Sequence, residues 1–215
     1  ACNIPYYILD SSEENVFEFI DRVTQHAKAK KCPVVILVRK NTFSPYKLKS
    51  AIDEISEISR EAAIEEIVNI SDDSDVFVST TGMASRELFE IRENRGEKHN
   101  KDFLTVGSMG HASMIAFGLS LSFKGGNIFC IDGDGASLMH LGNMTTIGQS
   151  GSANLIHIVL NNGAHDSVGG QSTNAYEINF EMLGKSLGYE YVTSLYSLQK
   201  LHSVLSEVFS ESHIK

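Results

Sequence analysis

The sequence predicts an α/β fold, a doubly wound parallel sheet flanked by helices. The first observation is that short apolar runs, such as residues 33–38 and 155–160, alternate along the chain with segments that have apolar residues at helical spacing. The second is that the run at 33–38 is continuous and rich in β-branched residues, which predicts a strand buried on both faces. Strands that alternate with helices favour a parallel sheet covered on both sides.

The individual elements follow from the amino end of the chain. Residues 14–30 form a predicted helix because Val16, Phe17, Ile20 and Val23 recur at helical spacing. After the strand at 33–38, the acidic segment 47–69 is predicted to be helical with a break near Ser59. The remaining elements are strand 75–79, helix 84–93, strand 103–106, helix 112–122, strand 127–131, helix 138–149, strand 155–160, a Gly/Asn/Ser-rich loop, a helix from Phe180, a short strand near Tyr189 and a last helix from Leu198.

A domain boundary is predicted between residues 1–46 and residues 47–215. Residues 41–46 read as a connector, and Ser44 with Pro45 suits the start of the next helix. The amino terminus has no basic region, no long apolar region and no initiating Met, which excludes a signal peptide. We therefore expect the chain to begin inside a longer protein.

Composition excludes several classes of protein. The net charge of −9 argues against a nucleic-acid binder, which needs a basic surface. The longest apolar runs are far shorter than the roughly 20 residues that span a bilayer, so we expect no membrane protein. Three widely separated cysteines, Cys2, Cys32 and Cys130, predict reduced thiols in a cytoplasmic protein, with Cys130 in the core.

Charge is scarce in one long stretch. Only four of the 70 residues from 107 to 176 are charged, against 41 of the other 145. Such a stretch would be poorly solvated by itself, so we expect much of it in a core, under a ligand or against another chain. The acids that remain within it, among them Asp132 and Asp134, are therefore candidates for a functional role.

The clearest local motif lies in this stretch and joins two turns. An apolar strand leads into Gly133-Asp134-Gly135, and the next strand leads into Asn161-Asn162-Gly163. In a right-handed βαβ unit both turns leave the carboxyl ends of parallel strands, so they face one crevice. A carboxylate, a carboxamide and a nearby backbone carbonyl form an oxygen set suited to Mg²⁺. Either turn alone would be an ordinary loop in most proteins, but together they favour a metal site.

A phosphate group fits beside this metal. Gly135, Ala136 and Ser137 open the helix that follows Asp134, where free N–H groups and the helix dipole favour an anion. The flanking Gly133 and Gly135 allow the backbone to approach a ligand closely. The unit therefore predicts a metal–phosphate site.

The spacing of GDG, then 25 residues, then NN resembles the cofactor signature of thiamine-diphosphate enzymes. Four strings extend the resemblance to phosphonopyruvate decarboxylases, with sulfopyruvate decarboxylase as a near relative: STTGMASRELFE (79–90), TVGSMGHAS (105–113), IDGDGASLMHLGNMTTIG (131–148) and VLNNGAHDSVGGQST (159–173). The match runs from about residue 60 to 176. Residues 1–46 then look like the end of a pyrimidine-binding domain, and residues 47–215 like the diphosphate- and Mg²⁺-binding domain.

The resemblance assigns a ligand set. Asp134, Asn162 and the main-chain oxygen of Ala164 are implied as Mg²⁺ ligands, and Asn161 as a structural neighbour. The diphosphate of thiamine diphosphate would meet Thr81, Gly82, Gly133, Gly135, Ala136 and Ser137. In the loop 107–109, the Gly107 carbonyl would accept from the cofactor's 4′-amino group, Ser108 would flank it, and Met109 would wedge beneath the two rings. His165, directly after the metal loop, is implied to face the diphosphate or the substrate, whereas His140 and His157 read as core histidines.

The implied reaction is decarboxylation of the small molecule phosphonopyruvate to phosphonoacetaldehyde and CO₂, with sulfopyruvate as the alternative substrate. The glutamate that activates the cofactor lies, in this family, in the pyrimidine-binding domain, which is almost entirely missing here. We therefore expect a partner subunit in a homo-oligomer to supply it, and the chain alone to be inactive. Ser172 also stands where the family pattern has Pro.

Two readings of other classes remain open. Asp132-Gly133-Asp134 after a strand resembles the DxD motif of a Mg²⁺-dependent phosphohydrolase with an aspartyl nucleophile. Against that reading, Ala136 stands where Thr or Val is usual. A noncatalytic interaction fragment would differ from the decarboxylase only in never meeting a pyrimidine-binding domain.

Overall fold

The computed structural model describes residues 3–44 and 57–212, and the chain divides into two compact units, Ala1–Ser50 and Ala51–Lys215. The predicted boundary at residue 46 and the predicted helical segment 47–56 lie outside the described residues.

The first unit is one parallel strand pair with a helix. β1 (Tyr6–Leu9) pairs with β2 (Val35–Val38), and α1 (Val16–Lys30) connects them. α1 begins where the Asn15 side chain accepts a hydrogen bond from the Glu18 N–H, and it ends in a left-handed turn at Lys31. One face of the pair packs on α1 around Leu9, Phe19 and Val23.

The second unit contains a four-stranded parallel sheet. Its strands are β3 (Val76–Ser79), β4 (Asp102–Leu104), β5 (Ile128–Gly133) and β6 (Leu155–Leu160), in the order β4-β3-β5-β6. Short strands β7 (Ala164–His165) and β8 (Gln171–Ser172) form an antiparallel hairpin after β6. The helices are α2 (Arg60–Ile70), α3 (Met83–Arg95), α4 (Ala112–Ser122), α5 (Asp134–Met139), α6 (Gly142–Ser150), α7 (Phe180–Leu187) and α8 (Leu198–Ser212).

Helices cover both faces of this sheet. Phe77, Phe129 and Ile131 pack under α2, α3 and α8, and the two rings stack with centroids 4.9 Å apart. On the opposite face, Val78 and Cys130 pack against α4. This arrangement confirms the predicted doubly wound α/β fold, including the buried Cys130.

The strand order reverses between β3 and β5. The chain moves outward from β3 to β4 on one side, and from β5 to β6 on the other. The crevice at the carboxyl ends of the two strands at such a switch point is where open α/β sheets bind ligands. Thr80, Thr81 and the turn after β5 occupy that position.

Several predicted elements were wrong in detail. β1 was not predicted, and β2 is mostly exposed rather than buried on both faces, because α1 covers only one face of the two-stranded pair. The helix predicted at 138–149 is two helices, interrupted at His140, where the Gly110 loop packs against the chain. The loop predicted after β6 contains the β7–β8 hairpin and two short 3-10 turns.

The short strand predicted near Tyr189 does not form. α7 ends at Gly188 in a left-handed conformation, and the following chain packs back on α7, with Val192 against Gly184. The Ser194 N–H donates to the Glu181 carboxylate, with N and Oε1 2.7 Å apart. Residues 189–196 therefore pack on helix α7 and form no strand.

Candidate functional site

Asp134 is a buried acid at the junction of β5 and α5. Only 3% of the residue is exposed, and the Thr173 hydroxyl donates to its Oδ2. Burial raises the pKa of the Asp134 carboxyl above its ordinary value, with hydrogen bonds and nearby His165 opposing that rise. A buried carboxylate with few charge partners fits a cation.

The Asn161–Gly163 turn lies at the end of β6, next to this acid. The Asn161 and Asn162 side-chain oxygens accept from the N–H groups of Gly163 and Ala164 respectively, each at 3.1 Å. Gly163 adopts a left-handed conformation, φ +66°, which suits glycine. Thr173 joins the two turns, because its N–H also donates to the Gly163 carbonyl at 2.9 Å.

His165 lies against Gly135. A Cβ at Gly135 would come within 2.3 Å of the His165 ring, so glycine is needed for this close approach. The structure thereby brings together Asp134, Gly135, Thr173 and His165, from three segments of the chain. Thr173 was not predicted as a site residue, because a lone threonine after GGQS carries no signal by itself.

The loops that follow β3 and β4 contact each other. The Thr81 hydroxyl donates to the Val106 carbonyl at 2.8 Å. Gly82 begins α3 with φ +103° and lies near the Ser167 side chain. The segment at 79–82 therefore contacts both the loop after β4 and the hairpin after β6.

The loop after β4 is tightly turned. Gly107 and Ser108 are exposed, Met109 is half-buried, and Ser108 has the left-handed φ of +55°. A Cβ at Gly110 would lie 2.7 Å from the Ala136 carbonyl oxygen, and the Gly110 carbonyl accepts from Asn143 at 3.0 Å. This loop is thus held against the α5 helix that follows Asp134.

Three buried hydroxyl groups near these strand ends have no hydrogen-bond partner within the described part of the chain. They belong to Ser79, Thr80 and Ser137. A buried hydroxyl without a partner is costly, so such groups indicate a missing acceptor. Together with the buried Asp134 carboxylate, these donors fit a metal-bound diphosphate.

Asp132 is unsuited to be a nucleophile. It is 0% exposed within β5, its Oδ1 accepts from the Gly133 N–H, and its Oδ2 lies 3.5 Å from Nε2 of His157. His157 bonds through Nδ1 to the Tyr189 hydroxyl at 2.9 Å. Asp132 belongs to a buried polar cluster, and this argues against the phosphohydrolase reading.

Comparison with solved structures identifies the fold. The benzoylformate decarboxylase of Polynucleobacter necessarius matches with a TM-score of 0.57 and 16% identity, covering 81% of this chain and 35% of the other. A putative thiamin diphosphate-dependent enzyme from Mycobacterium smegmatis matches with a TM-score of 0.56 and 16% identity, covering 80% of this chain and 33% of the other. The fold is that of thiamine-diphosphate-dependent enzymes.

Sequence comparison then identifies the family. Residues 78–214 match the family described as thiamine pyrophosphate enzyme, C-terminal TPP binding domain, where thiamine pyrophosphate is another name for thiamine diphosphate. The chain belongs to this family.

Curated relatives fall into two groups. The phosphonopyruvate decarboxylase of Streptomyces viridochromogenes is 35% identical over 69% of this chain and 36% of its own length. The sulfopyruvate decarboxylase subunit beta of Methanocaldococcus jannaschii is 32% identical over 71% of this chain and 78% of its own length. The chain thus spans about a third of the phosphonopyruvate decarboxylases that it matches.

No helix among the described residues is both long and apolar enough to cross a membrane.

Proposed function

We propose that this chain is the diphosphate- and Mg²⁺-binding part of a decarboxylase that converts phosphonopyruvate to phosphonoacetaldehyde and CO₂. The observation that carries the proposal is the buried Asp134 carboxylate, joined through Thr173 to the turn that contains Asn162. A carboxylate and a carboxamide at one sheet edge are the hard oxygen ligands that Mg²⁺ prefers. Ala164 would add its main-chain oxygen as the third protein ligand.

The residues around this metal would bind the phosphates. Thr81, Gly82 and the backbone from Gly133 to Ser137 line the strand ends, and the unpartnered hydroxyl of Ser137 supports a role as donor. These groups fix the cofactor without taking part in bond making. Bound thiamine diphosphate would supply the acceptor for the electron pair released as CO₂ leaves.

The loop from Gly107 to Met109 would orient the cofactor's rings. The next residue, Gly110, lies against the Ala136 carbonyl of α5, and its own carbonyl accepts from Asn143 of α6. A Gly107 carbonyl that accepts from the 4′-amino group, with Met109 beneath the rings, would bring the reacting atoms together. His165, close to Asp134, would face the diphosphate or the substrate.

Sulfopyruvate is the second candidate substrate, because the relative from Methanocaldococcus jannaschii, a sulfopyruvate decarboxylase subunit beta, is 32% identical to this chain. Both substrates are 2-oxo acids that differ in a phosphonate or sulfonate group.

A pyrimidine-binding domain would complete the site. The resemblance puts the activating glutamate in that domain, supplied by a partner subunit of a cytoplasmic homo-oligomer. In the proposed arrangement residues 1–46 are the end of such a domain and residues 47–215 the diphosphate-binding domain. The decarboxylase therefore requires more than this chain.

The test is an assay of the polypeptide or subunit pair that combines this chain with its pyrimidine-binding domain. With thiamine diphosphate and Mg²⁺, we expect CO₂ and aldehyde from phosphonopyruvate faster than from sulfopyruvate, and no turnover by residues 1–215 alone. Asn162→Ala should reduce turnover more than the matched control Asn161→Ala. Faster release from sulfopyruvate would select the second substrate. Phosphate release from simple esters, without CO₂, would contradict the decarboxylase.

A further inference from the structure

An ion-paired network connects helices α2 and α3 to the predicted metal loop. Arg60, at the start of α2, binds Glu87 of α3 with two parallel hydrogen bonds, Nε to Oε2 at 2.8 Å and Nη2 to Oε1 at 2.9 Å. Its remaining Nη1 donates to Oδ2 of Asp166 at 3.0 Å. The same Asp166 oxygen accepts from Nδ2 of Asn162 at 2.6 Å.

We infer that Arg60 and Asp166 are positioning residues that orient the Asn162 carboxamide toward the metal. The inference rests on the proposed function, since Asn162 is a metal ligand only under that proposal. The observation behind it is the continuous chain of hydrogen bonds from Glu87 through Arg60 and Asp166 to Asn162.

The chemistry of the two groups determines the orientation. An ionised carboxylate only accepts hydrogen bonds, so Asp166 binds the NH₂ side of Asn162 and never its oxygen. The amide oxygen is therefore turned away from Asp166, toward the Ala164 N–H. Without Asp166, among these contacts only the hydrogen bond from the Ala164 N–H would oppose a flip of the carboxamide, and a flipped carboxamide presents its NH₂ group, which cannot bind a cation.

Arg60 contributes by keeping Asp166 in place. The Asp166 side chain is 44% exposed, and by itself would be mobile and screened by water. The Arg60 and Glu87 side chains are 24% and 14% exposed, and a two-point Arg–carboxylate contact is geometrically rigid. The two helices thereby fix the position of Asp166, the loop residue that contacts Asn162.

The network also argues against a role for Asp166 as an acid or base. Its acceptor oxygen is already shared between Arg60 and Asn162. We therefore assign Asp166 to orientation and not to proton transfer.

The test measures orientation and metal affinity directly, without turnover. In the ¹⁵N-labelled chain, the side-chain amide signals of Asn162 are identified by their loss in Asn162→Asp. We expect the Nδ2 protons to exchange with solvent faster in Arg60→Gln and in Asp166→Ala than in the wild type. Mn²⁺, added in the presence of thiamine diphosphate, should broaden signals of residues 134 and 162–164, and its midpoint concentration should rise about 10–100-fold in both variants.

Two further variants make the result interpretable. Arg60→Lys keeps the charge but loses the two-point contact, so it should give an intermediate midpoint. Arg92→Gln is the matched control, because Arg92 binds Glu97 and Asp102 at the amino end of β4, away from the strand ends that carry the loop. It should lower thermal stability and leave the Mn²⁺ midpoint unchanged.

The possible failures are distinct. A wild-type chain in which Mn²⁺ broadens none of these loop signals would overturn the metal site itself, and the inference with it. Wild-type broadening with unchanged midpoints and amide exchange in Arg60→Gln, Arg60→Lys and Asp166→Ala would overturn the positioning inference and leave the proposed function standing. An equal rise in Arg92→Gln would show that the effect is one of general stability, and this also overturns the inference.

Discussion

The burial of Asp134 lowers the stability of the folded chain, and the same residue is the proposed metal ligand. Its carboxylate is buried and is held by a threonine hydroxyl and by backbone N–H groups, and burial raises its pKa. A buried charge that lacks a full counter-charge destabilises the folded chain when no ligand is bound. Functional sites frequently retain such a cost because the same group is needed for binding.

We expect Asp134→Asn to separate the two effects. The neutral carboxamide can still accept from Thr173, so thermal unfolding of the ligand-free chain should occur at the wild-type temperature or a few degrees higher. Binding of thiamine diphosphate with Mg²⁺, followed by calorimetry, should be lost. Asp73→Asn, at an exposed acid, is the control and should change neither. Unaltered Mg²⁺-dependent binding in Asp134→Asn would remove Asp134 from the site.

The buried cluster around Tyr189 predicts a dependence of stability on alkaline pH. Burial, with Cys130 and Asp132 nearby, raises the pKa of the Tyr189 phenol. Above the unfolded value of about 10, the unfolded chain loses a proton that the folded chain keeps, so unfolding is favoured. Stability from this group is therefore fully present below pH about 10 and falls above it by up to about 1.4 kcal/mol per pH unit.

Urea unfolding between pH 8 and 11 measures this effect. The free energy of unfolding should fall more steeply in the wild type than in Tyr189→Phe, which has no phenol to titrate. Parallel pH profiles for the two proteins would show that the phenol is not protected in the folded chain.

At the scale of elements, α6 depends on a glycine for its packing. A Cβ at Gly148 would lie 2.3 Å from the Leu187 carbonyl oxygen, which is backbone at the end of α7 and cannot move aside cheaply. Gly142, in the same helix, has no atom within 4 Å of that position. The two glycines are therefore a matched pair, one needed for close approach and one not.

Gly148→Ala should lower the free energy of unfolding by about 1–3 kcal/mol, the usual cost of overpacking. Gly142→Ala should raise it by up to about 1 kcal/mol, because alanine restricts the unfolded chain and favours the helix. Chemical denaturation of both variants checks the pair. Equal effects in the two variants would mean that α6 does not pack on α7 as described.

Elements with strong periodic signals were predictable, and those decided by tertiary contacts were not. The boundaries predicted for α4 and β6 agree with the structure, because each is a long apolar segment between clear turn residues. The break at His140 depends on the Gly110 loop, which lies about 30 residues earlier in sequence and leaves no local signal. β1 was missed because YYIL is short and lacks an alternating pattern.

The same distinction applies to the candidate site. Glycines, Asp134 and the asparagine pair could be proposed from sequence because their residue types and spacing are specific to strand-end turns. Arg60, Glu87 and Thr173 could not, since each is an ordinary surface or loop residue until the fold brings it to the site. The candidate ligand-binding residues could be proposed from the sequence, whereas the residues that position them could be found only in the structure.

At the scale of the whole molecule, one part of the charge-poor stretch 107–176 is buried and another part is exposed apolar surface. β5 and the start of α5 are buried in the sheet unit. Val106, which precedes the stretch, is 97% exposed, and Leu121, Met139 and Val168 are also exposed apolar residues. Such surface favours association, in agreement with the proposed need for a partner that brings a pyrimidine-binding domain.

The central claim is that the strand-end loops of residues 51–215 bind the diphosphate and the metal. The most direct test maps backbone ¹H–¹⁵N signals of the labelled chain during titration with Mg²⁺ and thiamine diphosphate at millimolar concentrations, where weak binding is visible. The account predicts shifts concentrated at residues 79–82, 107–110, 133–137 and 162–166, which disappear in Asp134→Ala. Shifts elsewhere, or an identical map in Asp134→Ala, would contradict it.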